Sequence, residues 1–176
     1  MSADEEKNGA PSHTIAVLVE NKFGVLAKVA SLFSARGYNI DSLSVGVTQD
    51  PTVSRITLVT RGDERVLEQI RKQLSKLIDT IKVMDMARED TVQREMMLVK
   101  VAAPRSARAE ILQIVGVFRA RIVDLSAETL TIEITGDDGK IGAFLELLGP
   151  FGIKEIARTG KAALSRGPKT LKSAKG

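Results

Sequence analysis

The sequence predicts an α+β protein that consists of two βαββαβ units in tandem. Apolar residues recur with period 2 in some segments and with helical spacing in others, and these segments follow the order strand, helix, strand, strand, helix, strand. The same order repeats after a polar stretch near the middle of the chain. With 176 residues, the chain is long enough for two small domains, each with its own core.

The first unit opens with a strand that is apolar on both faces. Ile15 and Val17 alternate along one face and Leu18 lies on the other, which predicts burial on both sides of the sheet. The next segment, from Gly24 to Arg36, carries apolar residues at helical spacing, and Gly37 is placed to end that helix.

A hairpin, a second helix and a last strand complete the first unit. The strands Tyr38–Val47 and Val53–Thr60 flank a turn signal at Asp50-Pro51-Thr52. Asp63 is placed to cap the second helix. The buried stripe of that helix is predicted to consist of Leu67, Ile70, Leu74, Leu77 and Ile78. Thr80 to Met86 then reads as the closing strand.

The second unit repeats this order after a polar linker at 88–94. Its predicted strands are Met96–Ala102, Ile122–Leu125, the alternating segment 130–134 and Ile153–Ala157. Its first helix starts at Pro104 to Ser106 and has an apolar stripe of Ile111, Ile114, Val115 and Phe118. Its second helix is capped by Asp137 or Asp138, buries Ile141, Phe144, Leu145 and Leu148, and ends at Gly149-Pro150.

These elements predict two ferredoxin-like sandwiches, each with a four-stranded antiparallel sheet and two helices on one face. We place the first unit at residues 13–88 and the second at 94–160, and we expect 1–12 and 161–176 to be flexible tails. Each small unit leaves a sheet edge or face to be covered, and homodimerisation is expected from this need.

The composition excludes several classes of protein. The absence of cysteine removes disulfides, thiol catalysis and cysteine-ligated metals, and it fits a cytoplasmic location. The only histidine, His13, is expected on the surface, and a metal site built on it is improbable. No secretory signal is apparent at the N-terminus, and no apolar run approaches the ~18 residues that a membrane span needs. Much of the net charge of +4 lies after Gly160, which favours a solvated tail over nucleic-acid binding.

The candidate binding site lies where the first strand meets the first helix, in the segment from Val19 to Leu26. A helix N-terminus carries unpaired N–H groups and the positive end of the helix dipole, so it can hold a small anion. Gly24 lets a ligand approach the backbone, and Asn21 can add a directed amide contact. Nothing nearby is suited to bond breaking, which indicates an effector rather than a substrate.

The first unit resembles the ACT domain, a βαββαβ module that binds amino acids. The match extends to the small regulatory subunits of acetolactate synthase (acetohydroxyacid synthase). The segments that carry this resemblance are Glu20–Leu26, Leu32–Leu43 with its Arg-Gly-Tyr-Asn-Ile run, Asp50–Thr57, Glu95–Val101 and Arg158-Thr159-Gly160. Together they cover the chain from about residue 14 to 167, and the Arg-Gly-Tyr-Asn-Ile run is far more specific than an ACT match alone.

This resemblance implies a non-catalytic subunit that activates a large catalytic subunit and transmits feedback inhibition, typically by valine. The effector would sit between two ACT domains of a dimer. Its carboxylate would be held by the amides of Gly24, Val25 and Leu26, with Asn21 nearby. Asn39 and Ile40 of the second chain would complete the pocket, and apolar side chains would suit an isopropyl group. Thiamine diphosphate, Mg²⁺ and FAD are expected in the catalytic partner, and no cofactor in this chain.

The second unit has Ala103-Pro104-Arg105-Ser106 at the equivalent junction, and Pro104 has no N–H to donate. A second equivalent effector site is therefore not expected there. That unit either has a structural role or faces the catalytic partner.

Three other classes of protein compete with this interpretation. A small enzyme is disfavoured because no nucleophile–base pair, metal cluster or phosphate loop is present in the sequence, so no catalytic or metal-binding residue is predicted. An RNA-binding module would stack bases on aromatic residues, yet only 3% of this chain is aromatic. A free-standing amino-acid sensor, for another enzyme or for transcription, remains the alternative.

Overall fold

A computed structural model describes residues 10–171. The chain divides into two compact units, which are described separately. The first contains residues 10–92 together with 161–171, and the second contains Gln93–Gly160.

The first unit is a four-stranded antiparallel sheet with two helices on one face. Its elements are β1 (Ser12–Glu20), α1 (Val25–Ala35), β2 (Ser42–Val47), β3 (Val53–Arg61), α2 (Glu64–Leu74) and β4 (Thr80–Asp85), followed by a 3-10 turn at Met86–Arg88. The strand order is β2-β3-β1-β4, so β1 and β3 are central. The core between sheet and helices includes Ile15, Val17, Val29, Phe33, Ile56, Leu58, Ile70 and Leu74.

The second unit repeats this arrangement. Its elements are β5 (Thr91–Ala102), α3 (Arg105–Val117), β6 (Arg121–Leu125), β7 (Thr129–Gly136), α4 (Asp138–Leu148), a 3-10 turn at Gly149–Phe151, and β8 (Ile153–Arg158). The order β6-β7-β5-β8 reproduces that of the first sheet. Its separate core includes Met97, Val99, Val101, Ile111, Leu130, Ile132, Ile141 and Phe144.

The two βαββαβ sandwiches and several local predictions are confirmed. The first strand is buried on both faces, since both Val17 and Ala16 are inaccessible to solvent. Asp63 caps α2 by accepting a hydrogen bond from the Val66 amide at 2.8 Å. Asp137, rather than Asp138, caps α4 through the Lys140 amide.

Other predictions were wrong. Ile78 is 91% exposed, because α2 ends at Leu74 and the helical stripe stops there. The strand predicted from Tyr38 starts only at Ser42. His13 is half-buried, and its Nε2 lies 2.9 Å from the carbonyl oxygen of Gly62.

Polar residues that were predicted to be a linker and a tail also form strands. Thr91 to Arg94, in the predicted linker, begin β5. The segment predicted as a C-terminal tail contains a further strand, β9 (Ala162–Ser165), and belongs to the first unit. Ala163 is buried with Ala16 and Met86 on the face of the first sheet opposite the helices. Residues 1–9 and 172–176 of the predicted tails lie outside the described residues.

Candidate effector site

Gly24 forms the junction between β1 and α1. It is the N-cap of α1 and has a φ of 81°, a left-handed conformation that glycine adopts without steric cost. Apart from its two chain neighbours, no residue of the described part of the chain has an atom within 4 Å of the position that a Cβ at Gly24 would take. The backbone in front of α1 is therefore open to a ligand.

The amides of the first turn of α1 are poorly satisfied. The Val25 amide donates to the Lys22 carbonyl over a long 3.4 Å. Within residues 10–171, no group accepts a hydrogen bond from the amides of Gly24 or Leu26. These three predicted site residues thus present backbone donors at the positive end of a helix of 11 residues.

Asn21 anchors the junction to the β2–β3 turn. Its Nδ2 donates to the Pro51 carbonyl at 2.9 Å, and its Oδ1 accepts from the Ser54 hydroxyl at 3.1 Å. Its backbone amide donates to the Thr52 carbonyl at 2.7 Å. Both ends of the Asn21 amide therefore have partners inside the chain, and the residue holds the loop that precedes Gly24. Sequence reasoning missed Ser54, whose polar side chain interrupts the apolar face of β3.

Asn39 and Ile40 lie between α1 and β2, beyond the other end of the helix. The Asn39 Nδ2 donates to Asp41 at 2.6 Å, and its carbonyl accepts from the Thr60 hydroxyl at 2.7 Å. Ile40 is half-buried against the core of the unit. The 11 residues of α1 span about 16 Å, so one chain does not bring these residues to the amides at Gly24.

Charged side chains around the junction already have partners. Lys28 lies 2.5 Å from the carboxylate of Asp79, whose residue is only 8% exposed. Lys22 donates to Glu20 at 2.6 Å, and this hydrogen bond together with the carboxylate charge raises the pKa of Lys22. These two cations are therefore paired with carboxylates of the chain, whereas the amides of Gly24 and Leu26 have no acceptor among the described residues.

Exposed apolar side chains border the junction. Phe23 is fully exposed, and Val45 and Val47 on the edge strand β2 are 45% and 59% exposed. Val47 pairs with Ser54, which contacts Asn21, so the edge of β2 lies beside the junction. An apolar sheet edge of this kind is a surface that a second chain can cover.

The equivalent junction of the second unit is built differently. Pro104 is the N-cap of α3, where Gly24 stands in the first unit. The Arg108 Nη2 donates to the carbonyls of Ala103, Ser126 and Ala127 at 3.0, 2.9 and 2.8 Å. A guanidinium therefore ties this junction to the β6–β7 turn, in the role that Asn21 has in the first unit.

The described part of the chain contains no group of three or more potential metal ligands. No helix among these residues is long and apolar enough to cross a membrane.

The fold and the open glycine junction define a domain of the ACT type, followed by a second unit of the same topology. Residues 15–82 match the family model described as an AHAS small subunit-like ACT domain, and residues 94–167 match the model for the small subunit of acetolactate synthase. The chain belongs to the family of acetolactate synthase small subunits, as the sequence resemblance predicted.

Individual relatives agree with this assignment. A probable acetolactate synthase small subunit of Methanothermobacter thermautotrophicus is 56% identical over 161 residues, which cover 91% of this chain and 96% of that protein. The small subunit of Mycolicibacterium smegmatis is 50% identical, covering 96% of this chain and 99% of its own. The crystal structure of the Thermotoga maritima small subunit is similar with a TM-score of 0.81 at 43% identity, covering 90% of this chain and 99% of that one.

Proposed function

We propose that this chain is the non-catalytic regulatory subunit of an acetolactate synthase, in branched-chain amino acid biosynthesis in the cytoplasm. In this proposal it binds the large catalytic subunit, raises its activity and confers feedback inhibition by valine. The open backbone at Gly24, which an ACT-type domain presents at the start of α1, is the observation that carries the regulatory role.

The proposed effector is a branched-chain amino acid, whose carboxylate binds the amides of Gly24, Val25 and Leu26. Two of these amides lack an acceptor among the described residues, and the helix dipole favours an anion there. Asn21 contributes by fixing the loop through its bonds to Pro51 and Ser54. An isopropyl side chain would then face apolar groups.

The proposed site requires two copies of the chain. Asn39 and Ile40 are separated from Gly24 by the length of α1, so they reach an effector only from a second protomer. The exposed valines of the β2 edge provide a surface on which a homodimer would form. Dimerisation then completes the pocket, and the effector contacts both ACT domains.

Regulation in this proposal is a coupling between two binding events. Valine binds one arrangement of the ACT pair more tightly, and the catalytic subunit responds to that arrangement. The coupling is reciprocal, so the catalytic subunit must in turn change the affinity for valine. Thiamine diphosphate, Mg²⁺ and FAD are assigned to the catalytic partner, and none of them to this chain.

Calorimetry of the full chain with valine, leucine and isoleucine tests the site. We expect micromolar-to-millimolar binding of valine, and its loss in Gly24→Asp, which places a carboxylate and a Cβ among the amides. Asp tolerates the left-handed conformation, so the variant should fold. Gly167→Asp is the matched control, because Gly167 also has a positive φ, of 72°, and open space where a Cβ would lie, but it is outside the proposed site.

The same variants are then tested with the catalytic subunit. Activation should persist in Gly24→Asp while inhibition by valine is lost. Inhibition of Gly24→Asp at the wild-type valine concentration would refute the site. A small subunit that binds valine but neither copurifies with nor stimulates a catalytic subunit would favour the alternative, a free-standing amino-acid sensor.

A further inference from the structure

Arg55 lies on the face of the first sheet opposite the helices. In the sheet register it stands between Leu18 of β1 and Gly46 of β2. This face is partly covered by the segment that follows Gly160, which contains β9. The Arg55 Nη2 donates to the carbonyl of Ala163 in that segment at 2.6 Å.

The guanidinium of Arg55 is only partly satisfied. Its Nε is buried and has no hydrogen-bond partner, and among residues 10–171 no carboxylate lies within ion-pair distance of it. Burial without a counter-ion lowers the pKa of Arg55 below its usual value. A half-buried cation with an unsatisfied donor is costly unless something pairs with it.

A groove of about 600 Å³ opens beside this guanidinium. It exists partly because Gly46, the cross-strand neighbour of Arg55, has no side chain and has open space where a Cβ would lie. Its walls are mainly apolar, with three hydroxyl groups. They include Leu18, Val47, Leu164 and Leu171, with the hydroxyls of Ser44, Thr48 and Thr57. This volume is in the range of small-molecule sites, which combine apolar walls with a few polar groups.

The acidic group in the groove lining does not neutralise Arg55. That residue, Asp50, directs its Oδ1 at Thr52, which donates from its amide at 2.9 Å and from its hydroxyl at 2.6 Å. The groove therefore presents the Arg55 cation, which has no ion-pair partner among the described residues, next to apolar surface, while the Asp50 carboxylate is hydrogen-bonded to Thr52. The complementary ligand has the opposite charge and an apolar part.

We propose that Arg55 and this groove form a second ligand site, distinct from the junction at Gly24, for a small organic anion. The ligand class is a carboxylate or a phosphate group attached to an apolar body. The anion would accept hydrogen bonds from the guanidinium, and the apolar body would lie along Leu18, Leu164 and Leu171. The segment after Gly160 forms one wall, so a bound ligand would also stabilise that segment.

Calorimetry of the full chain with three probes tests this site. Benzoate carries a carboxylate on an aromatic body, phenyl phosphate carries a phosphate on an aromatic body, and inorganic phosphate has no apolar part. We expect benzoate or phenyl phosphate to bind with a Kd of ~1 mM or tighter, and more tightly than inorganic phosphate. Comparison of the first two probes distinguishes a carboxylate from a phosphate ligand.

Two variants localise the binding. Arg55→Gln removes the charge and should weaken it about tenfold or more, as expected for loss of a charged hydrogen-bond donor. Gly46→Val keeps the charge but fills the groove, and it should weaken binding similarly. Arg55→Lys should retain part of the affinity, and Arg65→Gln, at an exposed arginine on α2, should retain all of it.

Valine binding tests the Gly24 site independently of the Arg55 groove. Arg55→Gln and Gly46→Val should bind valine normally, while Gly24→Asp should bind the anions normally. The proposal is overturned if neither organic anion binds with a Kd of ~1 mM or tighter, or if either Arg55→Gln or Gly46→Val binds them like the wild type. Inorganic phosphate binding as tightly as phenyl phosphate would overturn the proposed ligand class. Thermal unfolding of each variant confirms that it is folded.

Discussion

The two units share one topology but differ at the junction between their first strand and first helix. In the first unit, Gly24 leaves the start of α1 open and an asparagine fixes the loop in front of it. In the second, Pro104 occupies the cap position and Arg108 fills the space above the turn with a guanidinium. The first junction presents amides to an anion, whereas the second places a cation of its own on nearby carbonyls.

The two junctions differ at a few residues on one shared topology, so in the proposed function effector binding would depend on those residues rather than on the fold. Both junctions must be tied to the neighbouring hairpin turn, because a loop that moves would disorder the first turn of the helix. Asn21 achieves this with a neutral amide and leaves the helix end open. Arg108 achieves it with three charged hydrogen bonds, which favours rigidity over ligand access.

The largest expected effects come from the two separate cores. Phe33 and Phe144 are each almost inaccessible to solvent, one in each unit. Phe33→Ala and Phe144→Ala should each lower the free energy of unfolding by about 3–5 kcal/mol, measured by urea denaturation. We expect valine affinity to fall in Phe33→Ala as the first unit loosens, but not in folded Phe144→Ala. Equal losses of valine affinity would show that the site depends on both cores.

Removal of the Arg108 guanidinium from the second junction should have the next largest effect on the free energy of unfolding. Arg108→Ala leaves three carbonyls without their donor, so it should reduce the free energy of unfolding by about 2 kcal/mol. Valine binding should remain unchanged in this variant. Arg105→Ala, at an exposed arginine on the same helix, is the control and should change stability by less than about 0.5 kcal/mol. A gain of valine binding stoichiometry in Arg108→Ala would show that the second junction is a blocked effector site.

Asn21→Ala should reduce the free energy of unfolding less than Arg108→Ala does, but it should weaken valine binding more. Loss of its neutral hydrogen bonds should cost about 1 kcal/mol in unfolding free energy. Because the loop before Gly24 loses its anchor, we expect valine affinity to fall about tenfold, measured by calorimetry. Ser54→Ala removes only one of these bonds and should give a smaller loss. Wild-type affinity in both variants would mean that the loop is held by its backbone alone.

Structural features that depend on residues close together in the chain could be predicted from the sequence, whereas those that depend on distant residues could not. The cap at Asp63 and the buried Ile70 follow from spacing within one helix, and both were predicted. Ile78 was wrongly assigned to the same buried stripe. The end of a helix depends on backbone hydrogen bonds, and the spacing of apolar residues does not predict these. The position of β9 depends on partners far along the chain, such as Ala16.

The candidate site shows the same limit. Gly24 can be predicted from sequence because it lies at a strand–helix boundary, three residues after Asn21, where the backbone conformation itself favours glycine. The partners of Asn21 are more than 29 residues away, and only the pairing of β1 with β3 brings Ser54 beside it. The unsatisfied Nε of Arg55 has no sequence signal, since an arginine between Ser54 and Ile56 reads as an ordinary outward-facing strand residue.

The smallest predicted difference concerns pH and the two hairpin turns. In the β2–β3 turn the Asp50 carboxylate accepts hydrogen bonds from Thr52, which lower the pKa of Asp50 below its ordinary value of 3.8. In the β6–β7 turn the Ser126 hydroxyl instead accepts from the Thr129 amide at 3.0 Å, and a hydroxyl does not titrate in this range. Because the folded-state pKa of Asp50 is depressed, its contribution is present above the unfolded pKa and is lost as the pH falls through the folded value.

The chemical shift of the Thr52 amide should therefore change with a midpoint below pH 3.8, while that of Thr129 shows no matching transition. Asp50→Asn should abolish the transition at Thr52 and leave Thr129 unaffected. A midpoint at or above 3.8 would mean that the turn does not favour the carboxylate. The β2–β3 turn also contains Pro51, whose carbonyl accepts a hydrogen bond from Asn21. Acidification should therefore loosen the proposed effector junction of the first unit. It should not affect the junction of the second unit, which is held by Arg108.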